Sequence, residues 1–165
     1  MPIEFKENFL ERYKDLTNIE EFKEITLKYL RKSIRVNTLK ISIKELKERL
    51  QDSWILEQIP WCKEGFYIED KKSERTDIGN LKEHQLGYVY VQEAASMIPA
   101  LVLNPIKEDI ILDMCAAPGS KTTQLAALMK NNGIIIANDI NLFRIKILIE
   151  NIKRCSVLNT IVTQQ

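Results

Sequence analysis

Apolar residues recur every three or four positions at the start of the chain: Phe5, Phe9, Leu10 and Tyr13, then Phe22, Ile25, Leu27 and Leu30. That spacing gathers each set on one face of a helix and predicts two short helices. Ser33 to Lys40 alternates instead, with Ile34, Val36 and Thr38 on one face and Arg35, Asn37 and Leu39 on the other, and so predicts a strand. Ser42 followed three residues later by Glu45 is a capping box for a helix over Ile43 to Leu50. Trp54 to Ile59 and Phe66 to Glu69 read as the arms of a hairpin around Pro60 to Gly65. A short helix over Leu81 to Leu86 closed by Gly87, a strand over Tyr88 to Val91, and a helix from Glu93 to Leu103 that stops before Asn104-Pro105 follow.

From Ile110 the pattern becomes strand, helix, strand, helix, strand, over Ile110 to Leu112, Lys121 to Lys130, Ile134 to Ala137, Leu142 to Arg154 and Thr160 to Thr163. This βαβαβ order predicts a parallel, doubly wound sheet, the first half of a Rossmann-like domain. The fold class is therefore α/β, with a small α+β domain over residues 1–104, including a connecting helix, and an incomplete Rossmann-like domain over residues 105–165.

Composition adds exclusions. At 45% hydrophobic and 28% charged, the 165 residues are ordinary for a soluble globular chain, and no apolar run reaches the length of a membrane span. The start MPIEFKENFLERYK has neither the charge pattern nor the apolar core of a signal peptide, so a cytoplasmic location is expected. Three scattered cysteines, Cys62, Cys115 and Cys155, with no CxxC and the single histidine His84, argue against a disulfide framework and a metal site. The net charge of +1 conceals a basic segment: between Lys28 and Arg49 eight Lys and Arg face only Glu45 and Glu48. It reads either as a solvated helix face with Glu-Lys pairing or as a surface that follows a phosphate backbone.

The densest chemistry lies at the turn DMCAAPGSKT, Asp113 to Thr122, where an apolar strand passes into a helix. A Walker loop would need glycines at 115 and 120, which are Cys115 and Ser120, and a dinucleotide fingerprint would need three glycines where the turn has one. What remains is a tight turn offering backbone N–H groups at a helix N-terminus. Asp139, 20 residues after Gly119 at the end of the next strand, can accept both hydroxyls of a ribose, or cap the following helix. An adenosyl group fits both features.

DMCAAPGSKTTQLAALM resembles the cofactor loop DxCAAPGGKT of the NOL/NOP/Sun RNA cytosine-5 methyltransferases, and SIRVNTLKIS, IPWCKEGF and YVYVQEAASMIP resemble further segments of that family in the same order. The likeness spans Ser33 to Thr163, with archaeal tRNA-modifying members most similar. It implies an S-adenosylmethionine-dependent RNA methyltransferase, acting on tRNA, whose residues 1–104 are RNA-associated. Cys115, Ala116, Ala117, Pro118, Gly119, Ser120 and Lys121 would enclose the cofactor's methionine and ribose. Asp139 would hold the ribose hydroxyls, Arg144 would face the carboxylate end, and Asp113 would brace the loop. Ser120 departs from the family's second glycine, and a positive φ there would strain it by about 1–2 kcal/mol. Arg35, Asn37 and Lys40 are the candidates for RNA contact, a structural role inside the small sheet being the alternative for Arg35 and Asn37.

The family's chemistry uses one cysteine thiolate to add at C6 of cytosine and a second to assist release. Both lie in DAPCSG-like and TCS-like segments absent from these 165 residues, so Cys115 is expected to be a small residue of the cofactor loop, with no catalytic residue present. The chain is then expected to be inactive alone, either as the amino-terminal part of the enzyme or one subunit of a split one. The alternatives are a non-catalytic cofactor- or RNA-binding module and a remnant persisting as an interaction protein. With three strands in the order 3-2-1, Ile110 to Met114 would be an unpaired edge, which predicts a second polypeptide completing the sheet, a homodimer or poor solubility.

Overall fold

Helices α1 (Glu7–Tyr13) and α2 (Ile19–Leu27) form where the apolar period places them in the computed structural model, which describes residues 4–72 and 77–165. Asn18 starts α2 by accepting the N–H groups of Glu20 and Glu21 at 3.1 and 3.3 Å, two donors the helix itself cannot satisfy. Phe9, Tyr13 and Phe22 join the two helices, with ring centroids 4.9–6.0 Å apart. Met1–Arg31 is a compact unit of its own, and Lys32–Gln165 is a second.

Within the second unit, four antiparallel strands lie in the order β2 (Trp54–Gln58), β3 (Gly65–Asp70), β1 (Ser33–Val36), β4 (Val89–Val91). Helix α3 (Ile43–Leu50) drops Leu46 and Leu50 onto one face of this sheet, against Ile34, Val36, Phe66 and Val89. Strand β1 is shorter than its alternation suggests. Asn37 turns its carbonyl to the N–H groups of Lys40 and Ile41, ending the strand at Val36 and leaving Thr38 outside it.

The capping box of α3 is present with both halves made. Its hydrogen bonds from Ser42 hold the Glu45 carboxyl below its ordinary value of 4.5. A carboxylate lowered in the folded state stabilises the protein above its unfolded pKa, and that contribution disappears as the pH falls through the folded value. Glu45→Gln should therefore lower the melting temperature at neutral pH, and the gap to wild type should close on acidification below 4.5. A gap that stays constant with pH would contradict the assignment.

A 3-10 turn at Ile78–Asn80, which the pattern did not suggest, precedes the four-residue helix α4 (Lys82–Gln85). The expected helix over Glu93 to Leu103 is also revised: a 3-10 turn covers Ala95–Met97 and α5 only Ile98–Leu103. Pro99 has no N–H to give to a preceding turn, so it is accommodated only in the first turn of a helix that starts afresh.

Strands β5 (Ile110–Asp113), β6 (Ile134–Asn138) and β7 (Thr160–Thr163) then form a parallel sheet in that order, linked by α6 (Ser120–Leu128) and α7 (Leu142–Arg154). Ile111, Leu125, Met129 and Ile135 are the centre of its core. Among the described residues β5 pairs on one side only, with β6. Its Ile110, Leu112 and the following Met114 are 71%, 58% and 69% exposed. No described helix is long and apolar enough to cross a membrane, and no cluster of metal-ligating side chains occurs among the described residues.

Candidate functional site

The turn from β5 into α6 is built around Gly119, whose φ of 103° lies in the region that only glycine adopts without strain. A Cβ at that position would also lie 2.9 Å from Cδ1 of the buried Leu148. The positive φ falls on Gly119 and not on Ser120, which opens α6 as its first helical residue. Serine in place of the family's second glycine is therefore unstrained here.

Every carbonyl from Ala116 to Ser120 has a protein donor. Ala116 accepts from the Gly119 N–H at 2.7 Å, Ala117 from the Arg144 guanidinium, and Pro118 from Asn151 Nδ2 at 2.8 Å and Tyr90 Oη at 3.3 Å. Gly119 accepts from the Thr123 N–H at 2.9 Å, and Ser120 from Arg35 at 2.7 Å. The negative ends of these peptides are thus fixed against protein groups. The N–H groups of Ser120, Lys121 and Thr122, in the first turn of α6, have no acceptor within the helix. Together they give the turn an electropositive opening suited to polar or anionic parts of a ligand. Asp113 accepts the Thr122 hydroxyl at 2.7 Å and ties the end of β5 to that first turn.

Asp139 follows β6 and is 2% exposed. One oxygen accepts the Asn141 N–H at 3.0 Å; the other accepts the Ala117 N–H at 3.3 Å and lies 3.2 Å from the Arg144 guanidinium. The cap of α7 is Asn141, which accepts from Phe143 and Arg144, so the capping role considered for Asp139 belongs to its neighbour. Asp139 and Arg144 do meet the loop and one another. Lys121 reaches away from it, to the Ser96 hydroxyl at 3.3 Å. These residues fit an adenosyl cofactor: a glycine-only turn, an exposed helix N-terminus, a carboxylate at the end of the adjacent strand and a half-exposed guanidinium beside it.

Cys115 is exposed within the loop, whereas Cys62 and Cys155 are buried. Burial pushes both of the latter thiols up from their ordinary value of 9.0, which suits inert packing residues.

Of the three candidates for RNA contact, Arg35 and Asn37 are enclosed and Lys40 is exposed. Arg35, on β1, and Asn37, just beyond its end, are 2% and 1% exposed. Asn37 Nδ2 donates to the carbonyls of Gly87 and Cys155, both at 2.8 Å, linking the small sheet to the end of α7. Arg35 donates to Gln92 at 2.6 Å, to the Ser120 carbonyl and to the Thr123 hydroxyl at 2.8 Å. The structural alternative describes both positions, because apart from Arg35 Nε their side-chain polar atoms all hydrogen-bond to protein. Lys40 is exposed, although its ammonium rests on the carbonyls of Leu86 and Arg154 at 2.6 and 3.2 Å. Burial lowers the Arg35 pKa from 12.5 to about 10, which still leaves it charged at neutral pH. Tyr90 stands beside it, 5.5 Å from ring centroid to guanidinium, and burial pushes its hydroxyl up to about 12.

Sequence reasoning did not single out Tyr90, Gln92, Thr123 or Asn151. The one available signal was the alternation in SIRVN, which puts Arg35 and Asn37 on the same face of a strand whose other face is apolar.

Comparison with known proteins agrees along the whole chain. A family model of the N-terminal domain of 16S rRNA methyltransferase RsmF matches residues 1–94, and one of 16S rRNA methyltransferase RsmB/F matches residues 100–165. A tRNA (cytosine(49)-C(5))-methyltransferase of Pyrococcus abyssi is 50% identical over 98% of this chain and 53% of its own length. Ribosomal RNA small subunit methyltransferase F of Vibrio parahaemolyticus is 50% identical over 86% of this chain and 30% of its own length. Among solved structures, NSun6 from Pyrococcus horikoshii with SFG superposes with a TM-score of 0.86 at 27% identity, covering 98% of this chain and 65% of that one. A methyltransferase homolog from the same organism gives 0.80 at 33% identity, covering 98% and 57%. The chain thus spans about half or less of the length of these curated relatives. Two family models in register with the two sheets, and a relative sharing half its residues over nearly the whole chain, establish that this chain belongs to the NOL/NOP/Sun family of RNA methyltransferases.

Proposed function

We propose that this chain supplies the S-adenosylmethionine-binding turn and the RNA-associated domain of an RNA cytosine-C5 methyltransferase, with tRNA as the RNA. The observation that carries the reading is the turn Asp113 to Thr122, where all carbonyls from Ala116 to Ser120 are held by protein donors beside the first turn of α6. The structural neighbour with SFG, an S-adenosylmethionine analogue, supports the same choice of ligand. When bound, the cofactor supplies the methyl group. Residues Cys115 to Ser120 and the backbone N–H of Lys121 would enclose it, Asp139 would offer its carboxylate to the ribose hydroxyls, and Arg144 would stand by its carboxylate end. Residues 1–104 form the RNA-associated domain and residues 105–165 the cofactor-binding part. With Arg35 and Asn37 enclosed, contact with RNA falls to the exposed bases Lys40, Lys44 and Lys47 of the same segment.

Cys115 belongs to the cofactor loop and is not a nucleophile toward cytosine. It offers a direct test, because it is exposed while Cys62 and Cys155 are buried. One thiol per chain should react quickly with a disulfide reagent, and S-adenosylmethionine should slow that reaction by at least about tenfold at saturation, by occupying the loop. Equal reaction rates with and without the ligand would remove the cofactor assignment, and methyl transfer to tRNA that is lost in Cys115→Ser would overturn the role given to this cysteine.

The edge of β5, unpaired among the described residues, supports pairing with a further strand, either of a second polypeptide that completes the sheet or of another copy of the chain. Exposed backbone donors and acceptors beside Ile110, Leu112 and Met114 are a template for pairing. Sedimentation of the 165-residue chain should show self-association that Leu112→Lys reduces, and a monodisperse monomer at high concentration would contradict this.

A further inference from the structure

We infer that Arg35 is a positioning residue for the cofactor turn, so that the small antiparallel sheet sets the shape of a binding site to which it contributes no ligand contact. The inference rests on the cofactor-binding reading above and adds a residue from the other sheet to it.

Arg35 lies on β1, an interior strand of the four-stranded sheet, and its guanidinium spans to the opposite sheet's first helix. One terminal nitrogen holds the Ser120 carbonyl at 2.7 Å and the Gln92 side chain at 2.6 Å; the other holds the Thr123 hydroxyl at 2.8 Å. Nε is buried without a hydrogen-bond partner. None of the three partners is a carboxylate. Taking a cation out of water is costly in itself, and the Glu64 carboxylate, which attracts Arg35 without hydrogen-bonding to it, offsets less than burial takes away. Stability alone is therefore a weak reason for an arginine here, and the contacts it makes point to geometry. They fall on the first turn of α6, whose start carries the ligand-facing N–H groups.

The partners are themselves fixed. Gln92 donates to Ser96 and to Gln124 Oε1, both at 3.1 Å, and Gln124 donates to the Met97 carbonyl at 2.9 Å. The Thr123 hydroxyl also returns to the Ser120 carbonyl at 3.2 Å. Arg35 is the member of this buried set that reaches both sheets, and a fork of two terminal nitrogens is needed to hold Ser120 and Thr123 together. A lysine offers one point charge and can keep only part of this arrangement.

Arg35→Gln and Arg35→Lys in the full chain are tested by two readouts. Amide exchange should quicken at Thr123 and Gln124 while Ile135 and Ala137 in β6 stay protected. The dissociation constant for S-adenosylmethionine should rise by at least about tenfold in Arg35→Gln and by less in Arg35→Lys. Thr123→Val removes the contact from the helix side without touching the buried charge, and it should loosen the same amides even if Arg35→Gln does not fold. Ile68→Val, in the core of the four-stranded sheet, is the control for lost stability and should leave both readouts in place. Unchanged exchange at Thr123 and Gln124 in Arg35→Lys and Thr123→Val, or a loss of protection spread evenly over both sheets, overturns the positioning role. Failure of the wild-type chain to bind S-adenosylmethionine overturns the cofactor reading instead, and the exchange data still decide whether Arg35 shapes the turn.

Discussion

Gly87→Ala is expected to destabilise the chain by about 3–5 kcal/mol, more than a typical surface change at a turn. Gly87 follows α4 with φ +72°, and a Cβ there would stand 1.9 Å from the Arg154 carbonyl oxygen and 2.8 Å from its carbon. Those atoms are backbone at the end of α7, so no rotamer change relieves the overlap; the turn and the helix end must part. Their separation would pull on several links at once. The Gly87 carbonyl accepts from Asn37, Asn37 also holds Cys155, and Lys40 bridges Leu86 to Arg154. Arg154 in turn donates to the carbonyls of His84 and Val89. Denaturant unfolding of the variant measures the loss directly. A change below about 1 kcal/mol would mean that this seam between the sheets does not carry the weight its geometry implies.

Gly119→Ala is expected to act at the site itself. A φ of 103° is outside the region an alanine adopts readily, and its Cβ would press on Leu148 Cδ1 at 2.9 Å. Strain and crowding together amount to about 2–5 kcal/mol. Because Leu148 is a side-chain end that can give way, the chain should still fold, with the turn rearranged. Affinity for S-adenosylmethionine should then fall by more than about tenfold, beyond what the loss of stability explains. Far-UV spectra with unchanged strand and helix content, alongside unweakened binding, would contradict the importance given to this turn.

Much of the fold was legible because its signals are local. Helix α3 begins and ends where its capping box and apolar period place it, and α7 and β7 have the expected bounds. The departures come from constraints that periodicity does not register. Pro99 divides a stretch that reads as one helix, and the Asn37 carbonyl ends β1 four residues early. At the site, the loop and its neighbours Asp139 and Arg144 were identifiable from spacing and resemblance, and the structure brings them together. What could not be read was the direction in which Arg35 and Asn37 point. In a chain with eight bases between Lys28 and Arg49, a strand arginine reads naturally as an RNA contact. Only the packing of one sheet against another shows that its acceptors are Gln92, Ser120 and Thr123, residues 57 to 88 positions away. The same long-range origin hides Tyr90 and Asn151, which meet at the Pro118 carbonyl from different elements.

The turn Asp113 to Thr122 is proposed to hold S-adenosylmethionine. Titration calorimetry of the 165-residue chain with that ligand tests it most directly. A saturable heat with one site per chain is expected, lost or strongly weakened in Gly119→Ala; a folded wild-type chain that gives no heat at millimolar ligand would contradict the assignment.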